Sequence, residues 1–495
     1  MAVPFDIATI GIHCRVENPP GGLHPSAFGT PEGRWPDTEI FYSVSTSGGE
    51  VVSATGDVLG SATVDRMIGA AFEQWGATWS PLTISRLPVG DSRVRVAASF
   101  VGADVQSQFA DEQVVGNGEY PPDGTVHFTT ARTFTETSLR NTALHEFGHA
   151  LGLTHSGDPA SIMYFDGTDL VDIDRDSRDA IIAVYAPWSP QTQLPDRATA
   201  DRPGLASSGV ANFGGSYREL SAVWRGVGDD HTIYHSRLRT GSWTGPERIA
   251  GAASTDGPAL ASYELRDGTP STGLMMVWKG VPGDSTLWWN VNPGNGWSAP
   301  HQIPGAGTSA RPAVASFTSP FAAWKGAGDD SGIYWSRYVG GGWAPQARVP
   351  GYTSRGPALA TVHGRLYCFW RGAGDDSTLW YSSIGSGDDA TWRDQQQIWT
   401  EDFRYSDAGG EWITPGSSEG PAAASRGDRI LLAWKGVDGD STIYWCGFDG
   451  REFSPQLNIG DVGTSRGPGV GSLDERTHMM WKGVSGDNTL WWSVF

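Results

Sequence analysis

Three histidines at fixed spacing carry the chemistry of this chain. His145-Glu146-Phe147-Gly148-His149-Ala150-Leu151-Gly152-Leu153-Thr154-His155 reads H-E-x-x-H-x-x-G-x-x-H. His145 and His149 are four apart, so a helix stacks them one turn above each other and aims both at one metal ion. Gly152 is expected to end that helix, because glycine takes the left-handed turn that lets the chain double back. That turn brings His155 round as a third nitrogen ligand. Three protein ligands leave the fourth zinc position to water, the arrangement of a catalytic rather than a structural site. Glu146, beside the first ligand, is placed to take a proton from that water. The bland alternative is a histidine-rich core helix, but the eleven-residue pattern rarely arises by chance.

The pattern resembles the metzincin motif. Ser161-Ile162-Met163-Tyr164 follows, and it looks like the Met-turn that floors the metal site in that clan, with Met163 supporting the site without binding metal. The elements that must position these groups can be read from periodicity. Residues 1–34 are rich in Pro and Gly without a sustained period, and read as an extended arm. Glu39 to Ser45 alternates as a strand. Thr63 to Trp79 is an amphipathic helix, with Val64, Met67, Ile68, Ala71, Phe72, Trp75 and Trp79 on one face. Leu82 to Ile84, Arg93 to Ala97, Gln113 to Tyr120 and Thr125 to Thr129 read as strands. The metal helix is expected from Ser138 to Leu151 and a last helix from Asp174 to Tyr185.

Over residues 35–186 that order resembles the catalytic domain of the matrixins, the matrix-metalloproteinase branch of the metzincins. The matching pieces are Trp35 with Ile40-Phe41-Tyr42, Ala71-Phe72-Glu73-Gln74-Trp75, Tyr120-Pro121-Pro122, His127-Phe128, the histidine motif and the Met-turn. The resemblance implies an α+β zinc endopeptidase that cleaves protein or peptide substrates. It also implies that Val114, Val115, Gly116, Asn117, Gly118, Glu119 and Tyr120 form the sheet edge along which an extended substrate lies. Matrixins carry a second, structural zinc on three His and an Asp. Here only His127 fits that set, Asn117 stands where another ligand aligns, and Thr129 to Thr133 lack the family's acidic cluster. One catalytic zinc is therefore expected, and no residues can be assigned to a structural calcium.

Cys14 has two readings. One is an idle thiol. The other, implied by the resemblance, is a propeptide thiolate capping the zinc, since Cys14 precedes Trp35 by 21 residues with Phe28-Gly29 and Pro31 between. His13-Cys14-Arg15-Val16-Glu17-Asn18-Pro19 matches the family's switch sequence only loosely, and the thirteen residues before Cys14 are too few for a helical prodomain.

Charge and composition exclude several classes. The 495 residues carry a net charge of −20, which argues against a nucleic-acid partner. Ten basic and 24 acidic residues precede Ala186, against 25 and 31 from there on, so the acidity sits mostly on the metal domain. Three distant cysteines imply no disulfide framework. No run approaches membrane-spanning length. The first twenty residues lack the basic start and apolar core of a signal peptide. Secretion is expected, either after removal of a leader or by another route, and a monomer is expected.

A second architecture occupies residues 187–495. Trp224, Trp278, Trp324, Trp370, Trp434 and Trp481 each open a Trp-(Lys/Arg)-Gly triplet, followed six residues after the tryptophan by Asp230, Asp284, Asp330, Asp376, Asp440 and Asp487. Each unit offers four short strands, the pattern of a propeller blade. The sixth unit stops after its third strand, while residues 188–195, led by Trp188, match a fourth strand and stand alone. A six-bladed ring closed by 188–195 follows, with almost no linker to the metal domain. The repeats look like those of bacterial and fungal propeller lectins with tryptophan-rich blades. All four lysines of the chain, Lys279, Lys325, Lys435 and Lys482, follow blade tryptophans, and Arg225 and Arg371 fill the other two slots. Two roles stay open: packing plus pairing with the repeat aspartate, or six ligand pockets for sugar hydroxyls.

The reading is a zinc endopeptidase delivered by a propeller that binds cell-surface glycan or protein. The rival is a carbohydrate-binding lectin whose metallopeptidase domain is secondary; a third reading makes the ring a protein-docking scaffold.

Overall fold

The computed structural model describes residues 13–14, 34–36, 39–76, 82–101, 114–156, 158–164, 170, 172–185, 188–212, 215–264, 272–387, 391–402, 411–427, 429–454, 456–474 and 476–495. The chain divides into two compact units, Met1–Pro187 and Trp188–Phe495. Among the described residues no helix is long and apolar enough to cross a membrane.

The first unit is built on a six-stranded sheet. Its strands are β1 (His13–Cys14), β2 (Glu39–Ser45), β3 (Thr83–Arg86), β4 (Val96–Val101), β5 (Val114–Gly118) and β6 (Thr125–Thr129), in the order β1-β5-β6-β4-β2-β3. β2, β3, β4 and β6 run parallel, and β5 runs antiparallel to β6. Two helices pack together on this sheet: α1 (Ser61–Gly76) and α2 (Glu136–Ala150). The apolar stripe of α1 buries Val64, Ile68, Ala71, Phe72 and Trp75, as its period predicts. Trp79 of the expected helix lies outside the described residues.

α2 is different, because nearly all of it is buried, polar residues included. Buried polar groups need partners, and its two ends show how they are met. Thr135 and Ser138 form a reciprocal capping box at the start, Ser138 N to Thr135 Oγ1 at 3.1 Å and Thr135 N to Ser138 Oγ at 2.9 Å. At the other end the Trp35 indole donates to Ala150 O at 2.9 Å. The Tyr185 hydroxyl donates to Leu151 O at 2.7 Å. Two carbonyls with no helical partner are thereby satisfied from residues 115 and 34 positions away. Gly152 then turns the chain at φ 100°. α3 (Arg175–Tyr185) closes the unit.

The second unit is an all-β, six-bladed propeller. Its six innermost strands are Gly204–Asn212, Ala259–Glu264, Ala313–Ser316, Ala358–Val362, Ala422–Arg426 and Gly469–Leu473. Each packs on the next, and the last packs on the first. Each blade continues outward through antiparallel neighbours. The sixth takes its outer strand from the far end of the unit, where β7 (Thr192–Ala198) pairs with β8 (Thr489–Val494).

Candidate metal centre and the repeated blade residues

The three histidines converge. His149 Nε2 lies 3.2 Å from His145 Nε2 and 3.2 Å from His155 Nε2. The other ring nitrogens are tied to backbone carbonyls, His145 Nδ1 to Ile162 O and His149 Nδ1 to Leu153 O, each at 2.7 Å. A carbonyl only accepts, so each of these Nδ1 atoms carries the proton and each partner Nε2 presents a lone pair. Such lone pairs facing one another repel unless a cation sits between them. Two nitrogens on a tetrahedral ion at ~2.0–2.1 Å are about 3.3 Å apart, so the spacing fits a zinc-sized ion. Burial pushes the His145 imidazole down to about 4 and, with His145 beside it, His155 down to about 3. His149 is held well below its usual range by burial and by both neighbours. At neutral pH all three are neutral and available as ligands.

Glu146 is fully buried on α2, and β5 runs against it. A Cβ at Gly116 would lie 2.6 Å from Glu146 Oε1, and one at Gly118 would lie 2.2 Å from the Glu146 carbonyl oxygen. Only glycine at these two positions lets the edge strand approach the carboxylate so closely. Tyr120 packs edge-on to the His149 ring, with centroids 5.6 Å apart. Met163 is buried beneath α2, where its sulfur fills the space a Cβ at Gly148 would need, 2.2 Å away. The backbone of His13 pairs in parallel with Val114, and that of Cys14 with Gly116.

His127 sits half-buried on β6, opposite Asn117 and Ser99. Among the described residues, His145, His149 and His155 form the one group of three or more that could hold a metal.

In the ring the six triplet tryptophans are at most 2% exposed, so they offer no face to a ligand. Five of their six cations bind carbonyls. Lys325 Nζ donates to Gly328 O at 2.9 Å and Asp330 O at 3.0 Å; Lys435 and Lys482 reach Asp440 O at 2.8 Å and Asp487 O at 2.7 Å. Arg225 and Arg371 donate to Thr255 O at 3.0 Å and Ser417 O at 2.8 Å. Among the described residues, Lys279 is the one of the six that pairs with a carboxylate, that of Asp256 at 3.2 Å. The expected pairing with the repeat aspartate is thus corrected: its backbone carbonyl takes the cation in three blades, and its carboxylate is engaged elsewhere. Oδ1 accepts the N–H two residues on, and Oδ2 accepts from Tyr234, Trp288, Tyr334, Trp380, Tyr444 or Trp491 at 2.8–2.9 Å. The triplet glycine makes room for that carboxylate, which a Cβ would meet at 1.9–2.4 Å in every blade.

Residues 34–186 match the family model described as matrixin. They are a matrixin domain. The chain is 33% identical to human neutrophil collagenase over 156 residues, 28% of this chain and 33% of that protein. It is 32% identical to horse interstitial collagenase over 166 residues, 31% of this chain and 33% of that protein. The chain thus spans about one third of the length of the curated relatives it matches. A fucoside complex of Aleuria aurantia lectin aligns at 17% identity and a TM-score of 0.43, covering 62% of this chain and 96% of that one. AofleA from Arthrobotrys oligospora aligns at 14% and 0.41, covering 62% and 86%. These scores carry no ligand assignment; the ring rests on its own strand contacts.

Within the matrixin domain one residue was not singled out from sequence. Asp174 caps α3, accepting from Ser177 N at 3.0 Å and Ser177 Oγ at 2.7 Å. The same carboxylate accepts Ile162 N at 2.6 Å, and Ile162 O is the carbonyl that orients His145. The signal available was an aspartate directly before an amphipathic run, read as the helix start but not as a tether. Asp174→Ala is expected to weaken zinc affinity about tenfold, in line with other residues that orient metal ligands. Competition with a chromogenic chelator measures it; unchanged affinity in a folded variant would reduce Asp174 to a helix cap.

Proposed function

We propose that this chain is a secreted zinc endopeptidase whose propeller brings it to its substrate. The observation that carries the reading is the convergence of the His145, His149 and His155 lone pairs beside the buried Glu146 carboxylate. A zinc ion held there supplies Lewis-acid polarisation of a carbonyl and an acidified water. Glu146 accepts the proton of that water on its carboxylate and returns it to the amine nitrogen of the leaving group. The outer edge of β5 offers backbone N–H and C=O groups to an extended peptide, which binds as an added strand. Residues 13–14 pair along that same edge, so the N-terminal arm and a substrate compete for it. Met163 packs under the histidines as support.

For the ring, the half-buried aromatics Trp288, Tyr334, Trp380 and Trp491, each beside a repeat aspartate, offer better faces to a glycan than the triplet tryptophans. A glycan array on the full chain distinguishes glycan targeting from protein docking.

Casein cleavage by the full chain is expected to stop on chelation and return with one equivalent of zinc. Metal analysis after exhaustive dialysis should give one zinc per chain, because Asn117 stands where the family has another ligand of its structural zinc. No cleavage by the zinc-loaded chain would overturn the enzyme reading, chelator-resistant cleavage its zinc dependence, and two retained zinc ions the stoichiometry.

A further inference from the structure

The axis of the ring holds a cavity of about 60 Å³ between its six inner strands. Its lining residues are mostly small, and Arg311 is the one charged side chain among them. Arg311 lies in one of the loops that lead into the inner strands. Six such loops surround the axis, at residues 201–203, 255–257, 309–311, 354–356, 418–420 and 465–467. They carry Arg202, Arg311, Arg355 and Arg466 against Asp201, Asp256 and Glu419. A domain that is acidic overall therefore has an excess of guanidinium at this mouth.

Two of these arginines are enclosed. Arg202 is 5% exposed, and its guanidinium crosses to Pro421 O on another blade. Gly420 and Gly467 make room for it, since a Cβ at either would lie 3.2 or 3.3 Å from the guanidinium. Arg311 donates from Nε to Gly257 O at 3.2 Å and Pro258 O at 3.3 Å, and from Nη2 to Pro258 O at 2.8 Å and Pro203 O at 3.1 Å. It keeps part of its surface open to the axial cavity.

Neither guanidinium forms an ion pair with a described carboxylate, and the nearby acids are engaged. Asp201 accepts Gly257 N and Arg202 N, each at 2.8 Å. Asp256 pairs with Lys279 at 3.2 Å. Glu419 is shared between Arg355 at 3.6 Å and Arg466 at 3.5 Å. Burial and mutual repulsion hold the Arg311 guanidinium well below its usual range. Burying like charges is costly, and the charges of Asp201, Asp256 and Glu419 offset that cost only in part, since burial still holds both guanidinium groups below their usual range. Carbonyl dipoles and these carboxylates meet part of that need; a negative charge on the axis, where Arg311 is partly open to the cavity, would meet the rest.

We propose that the axial mouth of the propeller binds one small oxyanion, of carboxylate or sulfate type, between Arg202 and Arg311. A guanidinium fork matches two oxygens of such a group. The anion also links the loops that lead into the first and third blades, so binding should stabilise the fold by mass action.

The test uses the full chain and three probes at matched ionic strength: sodium sulfate, sodium acetate and sodium chloride. Sulfate or acetate should raise the melting temperature of the ring with a saturating dependence, and titration calorimetry should return the same midpoint. Sulfate alone or acetate alone identifies the tetrahedral or the planar group. General salting effects grow without saturating and persist in any variant. Arg311→Gln should weaken the midpoint at least tenfold, whereas Arg218→Gln, at an exposed pair with Asp474, should leave it unchanged. Should Arg311→Gln fail to fold, chloride-35 line broadening by the unaltered chain, relieved by sulfate, gives an independent readout. Saturation by neither oxyanion, or an unchanged midpoint in folded Arg311→Gln, overturns the proposal.

Discussion

Glu146→Ala is expected to keep its zinc and lose peptide cleavage. The metal should stay because the substitution touches none of the three imidazoles. It also spares the carbonyls of Ile162 and Leu153 that orient two of them. Cleavage should fall about 10²–10⁴-fold, the range a positioned general base contributes. Removing the carboxylate also opens space beside Gly116, whose missing Cβ marks how closely β5 lies to Glu146. The edge strand is held by β6 on its other side, so the cleft should keep its shape. Casein hydrolysis and zinc content are measured on the same sample. Activity above about 1% of the unaltered chain would remove Glu146 from the base role, since that is the small end of the expected effect. Loss of zinc would instead make it part of the metal site's framework.

How much of this was legible depends on what kind of information each feature leaves in sequence. α1 could be read because burial of one face imposes a period of 3.6 on side chains. The turn at Gly152 could be read because positive φ selects glycine. α2 is nearly all buried and so has almost no amphipathic period; its place came from the histidine spacing alone. Partners chosen by backbone carbonyls left no trace. Trp35 and Tyr185 were visible as residues, but nothing showed that they cap α2. The repeated lysine is the clearest case. Its recurrence announced a shared function, and aspartate six residues after the tryptophan was the obvious partner. The structure gives the lysine the turn carbonyls and gives the carboxylate to a backbone N–H and an aromatic donor. Spacing fixes that two groups are near, not which atoms meet. The arm at residues 13–14 pairs through its backbone, and backbone pairing carries no side-chain code.

Ring closure gives the second large effect. A chain starting at Ala186 is expected to fold as a stable propeller. One starting at Asp201 keeps all six Trp-(Lys/Arg)-Gly triplets but loses β7. It also loses the bonds that extend the pairing at both ends of that strand, Ser189 N to Val494 O and Thr199 N to Asn488 O, each at 2.8 Å. Leu194 is 4% exposed and packs with Leu205, Trp224, Met480 and Leu490, so its loss leaves a hole between the first and last blades. Trp188 packs on Trp445 and Phe495. Arg197 reaches from β7 to Ser236 Oγ at 3.3 Å, a direct tie to the first blade. Two large side chains at about 1.5–3 kcal/mol each put the loss at roughly 3–6 kcal/mol, a large fraction of a domain's stability. The shortened chain also bares the edge of β8, which favours association between copies. Thermal melts and size-exclusion profiles of the two chains decide the matter. The shorter one should melt lower and run partly as aggregate. Equal melting points with equally monodisperse peaks would mean that β7 is a passenger on the sixth blade, and that the inner strands alone hold the ring closed.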